Sequence, residues 1–187
     1  MADFSMAYRL LIKAEYSQDP EKFLHFNKGE DGFTLGGLYS KWHKEEIDWD
    51  FIDRVYAMTR NNIGLTSRLL YWDKDIQKQI YIAFENKYWR KYKLGSVKSQ
   101  VVANKILLAV VSMSVSAIRI LQDILNVEPD GIIGNITLRA INEYSDDELS
   151  RIYTDKLKET YTNIGNNNKD LKRYVAGWHN RAEMEYA

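Results

Sequence analysis

The stretch Ser99–Asn126, SQVVANKILLAVVSMSVSAIRILQDILN, decides the fold. Its middle, Ile106 to Ile118, is the longest run in the chain without a charged residue. That run is too short to cross a bilayer, which takes about 20 apolar residues. It reads as the central buried helix of a soluble fold, with a break expected near Ser112–Ser116. The other helices should pack around it.

Downstream, PDGIIG at Pro129–Gly134 predicts a tight turn between two helices. Asp130-Gly131 supplies the turn chemistry, because glycine tolerates a positive φ. Ile132, Ile133 and Leu138 read as core, so the turn is taken as structural, with sugar or stem-peptide contact as the lesser alternative. A short helix over Asn135–Asn142 follows. Ser145-Asp146-Asp147-Glu148 has the capping-box form S-x-x-E and opens a helix to about Asn163. Gly165 reads as its C′ residue. Leu171, Tyr174, Val175 and Trp178, spaced i, i+3, i+4, i+7, mark a last helix.

Upstream, a first helix is expected over Asp3–Ser17, stopping before Asp19-Pro20. Gly29, Gly32, Gly36 and Gly37 make Asn27–His43 a loop, with a short hairpin around Phe33–Leu38. Helices follow over about Trp49–Thr59 and Lys74–Tyr92, the latter with Ile76, Ile80, Ala83, Phe84 and Lys87 on one face. With only two prolines in 187 residues and helical periodicity throughout, the expected class is all-α with at most a short β-hairpin after helix one.

Composition narrows the function. Basic and acidic residues balance at 26 each, against a nucleic-acid binder that relies on global charge. There is no cysteine, which excludes disulfide frameworks and thiolate metal sites. His25, His43 and His179 lie far apart in sequence, so no metal site is expected. Arg9 and Lys13 interrupt any signal-peptide apolar core.

One residue breaks the pattern of the first helix. Tyr8, Leu11 and Ile12 sit at i, i+3 and i+4, and the i+7 position holds Glu15. Either the helix end is simply wet, or a carboxyl is half-buried at the mouth of a cleft. Burial disfavours the charged form of a carboxyl, which is the condition a proton donor requires. The Gly-rich loop is a natural cleft wall, since glycines let a backbone approach a ligand.

This order of parts resembles glycoside hydrolase family 108, the phage-type lysozymes also called secretion activator proteins. The family's N-terminal helix ends in a Glu, followed by a loop of the form G-x-T-x-x-G-I. The matching positions here are Glu15, then Gly32, Thr34, Gly37 and Leu38. IAFENKYW at Ile82–Trp89 resembles the family's I-Y-x-x-x-Y-W. AIRILQDILNVEPDGIIGNITLRAIN at Ala117–Asn142 is similar to its predicted peptidoglycan-binding segment, and GWHNR at Gly177–Arg181 to its closing G-W-x-N-R. Two departures stand out. The family's E-G-G-Y reads EYSQ here, and its D-x-A-V-N-S-G segment falls on LLAVVSMSV, with Leu107 for the Asp and Val111 for the Asn.

The resemblance implies a lysozyme-like helical fold, with a glycoside hydrolase part at 1–98 and a helical peptidoglycan-binding-like part at 99–187. It implies an N-acetylmuramidase acting on the peptidoglycan glycan strand, with Glu15 as general acid. Glu30 or Asp31 is a second carboxylate, or a solvated loop charge. Thr34 bonds a sugar or the acid, or stabilises its own turn. Tyr88 and Trp89 stack on sugar rings, or belong to the core. Glu30, Thr34, Tyr88 and Trp89 are therefore the candidate substrate-binding residues. No cofactor, metal, nucleic acid or stable membrane insertion is expected, and the protein should be a monomer. Made in the cytoplasm without a signal, it would reach the wall in the periplasm through a holin or another route. The alternatives are a lytic transglycosylase and, given Leu107 and Val111, a non-catalytic peptidoglycan-binding or secretion-helper protein.

Overall fold

The computed structural model describes residues 1–27 and 31–185. Among these, there are nine α-helices and one small antiparallel sheet of three two-residue strands, and no helix is long and apolar enough to cross a membrane. The all-α expectation with a short hairpin is met. Contacts divide the chain into two units, residues 11–87 and residues 1–10 with 88–187.

The unit of residues 11–87 holds the C-terminal turns of α1 (Phe4–Tyr16), the sheet, α2 (Trp49–Met58), α3 (Ile63–Trp72) and α4 (Lys74–Phe84). Each of the last three opens on a side chain that bonds a free amide of the first turn: Asp48, Asn62 and Asp73. Such caps stabilise by about 1 kcal/mol each. β2 (Thr34–Leu35) and β3 (Leu38–Tyr39) form the expected hairpin, and β1 (Leu24–His25) pairs antiparallel with β2 as a third two-residue strand. Ser67 ties β1 to α3: its hydroxyl donates to Pro20 O at 2.5 Å and accepts from Leu24 N at 2.9 Å. Tyr16, Phe23 and Tyr71 pack edge to face, with centroids 5.2–6.3 Å apart. Ile76, Ile80, Ala83 and Phe84 are buried, as their spacing predicted.

Helix α3 has no counterpart in the sequence reading, for two reasons. The turn before it is made by Arg60 and Asn61 at positive φ, without glycine or proline. Its inner face is small and polar, Thr66 and Ser67 with Leu70, while Leu65, Leu69 and Trp72 are exposed. Periodicity in hydrophobicity therefore points the wrong way.

In the other unit, α5 (Gln100–Met113) and α6 (Val115–Ile124) are the expected central helices. Their break falls at Ser114, whose backbone takes φ 52° and ψ −135°. Every residue from Val102 to Val110 is buried. That includes Lys105, whose ammonium donates to Ala182 O at 2.9 Å and pairs with Glu185 at 3.4 Å. Burial lowers its pKa, opposed by Glu185. α7 (Asn135–Glu143) follows the PDGIIG turn. α8 begins after Ser145 as expected, but that hydroxyl caps no amide, so the capping box is not formed.

α8 runs on to Asn167, past the end expected near Asn163. Gly165 is a buried helical residue, not a C′ cap. A Cβ there would collide with Val175 of α9 (Val175–Glu183), so the glycine serves close helix packing. The GWHNR residues dock this last helix. Trp178 packs tilted against Tyr161 with centroids 5.3 Å apart, His179 Nε2 lies 3.1 Å from Thr162 Oγ1, and Arg181 donates to Ser112 Oγ at 3.1 Å.

Candidate functional site

Glu15 lies near the C-terminal end of α1 and is half-buried. The side chain meets the turn of the β2–β3 hairpin. Gly37, at φ +91°, brings its backbone so close that a Cβ would stand 2.6 Å from Glu15 Oε2 and 2.9 Å from Cδ. Only glycine combines that φ with that approach. The hairpin is held in place by Gly36 N donating to Phe23 O at 2.7 Å and Ser40 N to Phe33 O at 2.9 Å. The next residue of α1, Tyr16, is buried, and its phenol is pushed up by that burial, with Tyr71 and Glu15 adding to the shift.

Thr34 sits in β2 opposite Tyr39 and is itself buried. Its hydroxyl accepts from Asn27 Nδ2 at 3.3 Å. Asp31 is fully exposed and pairs with Lys41 at 2.9 Å, an interaction that holds its carboxyl below the usual range. Asp31 therefore stays ionised and solvated. Glu30 lies outside the described residues. A cleft of about 550 Å³ in the same unit is lined by Asp48, Asp73 and Asp75 with Phe51 and Ile82. Two of those carboxylates are engaged as caps of α2 and α4.

Tyr88 and Trp89 belong to the other unit, in a π-helical stretch over Glu85–Arg90. Trp89 is 6% exposed, packs on Phe4 with centroids 5.5 Å apart, and lies under Gly95. A ring so enclosed offers no face to a sugar, which favours its core alternative. Tyr88 is half-buried. Leu107, the apolar replacement of the family's Asp, is fully buried in α5 and lines no open surface. Sequence reasoning passed over Trp42 and Phe26, exposed aromatics flanking the hairpin, at 74% and 51%. Trp42 packs edge-on against Tyr39 at 5.4 Å, and Phe26 against Phe33 at 4.5 Å. Their position in a polar loop was the only signal available.

The PDGIIG turn is built around Gln122, a buried residue of α6. Its amide nitrogen donates to Asp130 Oδ1 at 2.7 Å and Ile132 O at 3.1 Å, and its oxygen accepts from Gly131 N at 2.8 Å. Gly131 takes φ +83°, as the turn chemistry predicted. Ile133 is buried and Leu138 half-buried, but Ile132 is 64% exposed. The expectation that Ile132 is core is corrected: successive residues of the turn point to opposite sides, and its side chain faces out.

Residues 116–183 match the family model described as a predicted peptidoglycan domain. The match runs from the first turn of α6 to the last residue of α9, entirely inside the unit of residues 88–187. It covers the Gln122-centred turn and the GWHNR segment, and it supports association with peptidoglycan. No curated protein matches the chain.

Proposed function

We propose that the chain is a peptidoglycan hydrolase, an N-acetylmuramidase of the glycoside hydrolase family 108 type, with Glu15 as its general acid. The observation that carries this reading is the closeness of Glu15 to a hairpin backbone that only glycine permits. The turn packs against one side of the half-buried carboxyl and so fixes where a proton-donating oxygen would stand. Protonation of the glycosidic oxygen by Glu15 lets the leaving sugar depart from an oxocarbenium-like centre. The matched region, residues 116–183, supports the substrate class. The aromatic pair Tyr39–Trp42 stands at the hairpin, with Trp42 exposed and available to orient it.

A second reading is a non-catalytic peptidoglycan-binding or secretion-helper protein. It is favoured by the confinement of the family match to residues 116–183, outside the unit that holds Glu15. Zymography on purified peptidoglycan separates the two: a cleared band supports the hydrolase, and binding without release of fragments supports the helper. Mass spectrometry of released fragments then tells a muramidase, with reducing ends, from a lytic transglycosylase, which leaves 1,6-anhydro ends.

A further inference from the structure

We infer that the cleft beside the PDGIIG turn holds the stem peptide of peptidoglycan, gripping the free amino-acid head of its diamino acid. The inference rests on the peptidoglycan reading above and names which part of that polymer the C-terminal region contacts.

The cleft is formed by the connection between α6 and α7 and the first turn of α7, with a volume of about 480 Å³. Three of its features are unusual together. Its apolar surface is turned outward: Ile132 and Ile136 are 64% and 71% exposed, at i and i+4, with Val127 beside them. Large exposed apolar side chains that share one cleft mark a contact surface more often than scattered ones do. Asp130 is oriented from the turn: Gln122 Nε2, from a buried side chain, and Ile132 N both bond its Oδ1. Arg119 acts on Asp130 through its field but forms no ion pair with it among the described residues. Lastly, α7 starts on Gly134 with no side chain capping its first amides.

The chemistry that fits is specific. An oriented carboxylate oxygen, with Glu128 at the rim and no lysine or arginine in the lining, takes an ammonium. Uncapped amides at a helix N-terminus take a carboxylate. Isoleucine side chains take methylenes. An aliphatic chain ending in an ammonium beside a carboxylate is the side chain of a diaminopimelate residue. The glycan offers neither an ammonium nor a methylene chain, and its polar hydroxyls do not suit Ile132 and Ile136.

The test is an NMR titration of the full chain with a soluble stem tripeptide containing meso-diaminopimelate, alongside the same tripeptide acetylated on its free amine and a chitin oligosaccharide. Co-sedimentation with purified peptidoglycan is measured in parallel. The expected result is amide shifts confined to residues 126–137 with the free tripeptide, at least tenfold weaker binding of the acetylated form, and about tenfold weaker binding by Ile136→Ser. Asp130→Asn should weaken binding similarly. Ile136→Ser touches only an exposed side chain, so its fold is secure if the Asp130 variant fails. Absence of shifts in the cleft, while the chain still sediments with peptidoglycan, overturns the stem-peptide site and leaves the peptidoglycan reading standing. Shifts in the cleft with the oligosaccharide instead also overturn it. Failure to sediment at all overturns both.

Discussion

Gly37 and Gly131 occupy the same kind of backbone, at φ +91° and +83°, in different regions and for different ends. Around Gly131 the missing Cβ makes room for neighbouring helix: a side chain there would strike Val115 and approach Arg119 of α6. The surroundings are a buried polar framework centred on Gln122, each of whose bonds fixes the turn. Around Gly37 the missing Cβ makes room for a carboxylate. A turn that packs helices needs no acid beneath it. The difference teaches that one glycine holds a scaffold, while the other holds an ionisable group in a shape the scaffold does not require.

Substitution separates the two. Gly37→Val places a branched Cβ 2.6 Å from Glu15 Oε2, too close for the carboxyl to stay where it is, and under the proposed role a displacement of the acid by about 1 Å costs on the order of 10² in rate. Wall clearance should fall by that much or more in a protein that remains helical by circular dichroism. Parental clearance by a folded Gly37→Val would remove the hairpin from the site. Gly131→Val strikes the scaffold instead. It should destabilise by about 1–3 kcal/mol through backbone strain and the collision with Val115. A thermal melt matching the parent would contradict the packing role.

The smallest effect concerns His43, in the same unit as Glu15. It is buried, and its pKa is lowered to about 4, chiefly by burial and also by Lys87, with Glu46 opposing. Its Nδ1 lies 4.0 Å from Glu46 Oε2. The unfolded chain, with an imidazole pKa near the ordinary 6.5, binds the proton first. Stability from the neutral ring is thus complete above about pH 6.5 and declines as pH falls towards about 4. His43→Gln should flatten that part of a stability–pH curve measured by urea denaturation. An unaltered curve would mean that the imidazole is hydrated in the folded state.

Much of this was legible in the sequence where hydrophobic spacing and turn chemistry agreed. The break of the central apolar stretch falls at Ser114 because serines and no charge marked it. Gly131 has its positive φ because Asp-Gly demands it. Glu15 breaks an apolar face in the sequence, and the structure sets its carboxyl against Gly37. What was hidden has physical reasons. α3 hides its inner face in Thr66 and Ser67, so hydrophobicity could not find it. Gly165 looks like a helix stop, and only the approach of α9 explains it as a packing residue. Ile132 reads as core because isoleucine usually is, whereas its outward orientation depends on the turn geometry that Gln122 imposes.

The most direct measurement is the rate at which Glu15→Gln releases fragments from purified peptidoglycan, with binding to the same material measured by co-sedimentation. The amide keeps the shape beneath Gly37 but cannot donate an acidic proton. The account predicts a loss of about 10²–10⁴ in rate, with binding and thermal stability essentially those of the parent. A folded Glu15→Gln that releases fragments at the parental rate would contradict the assignment of Glu15 as the acid.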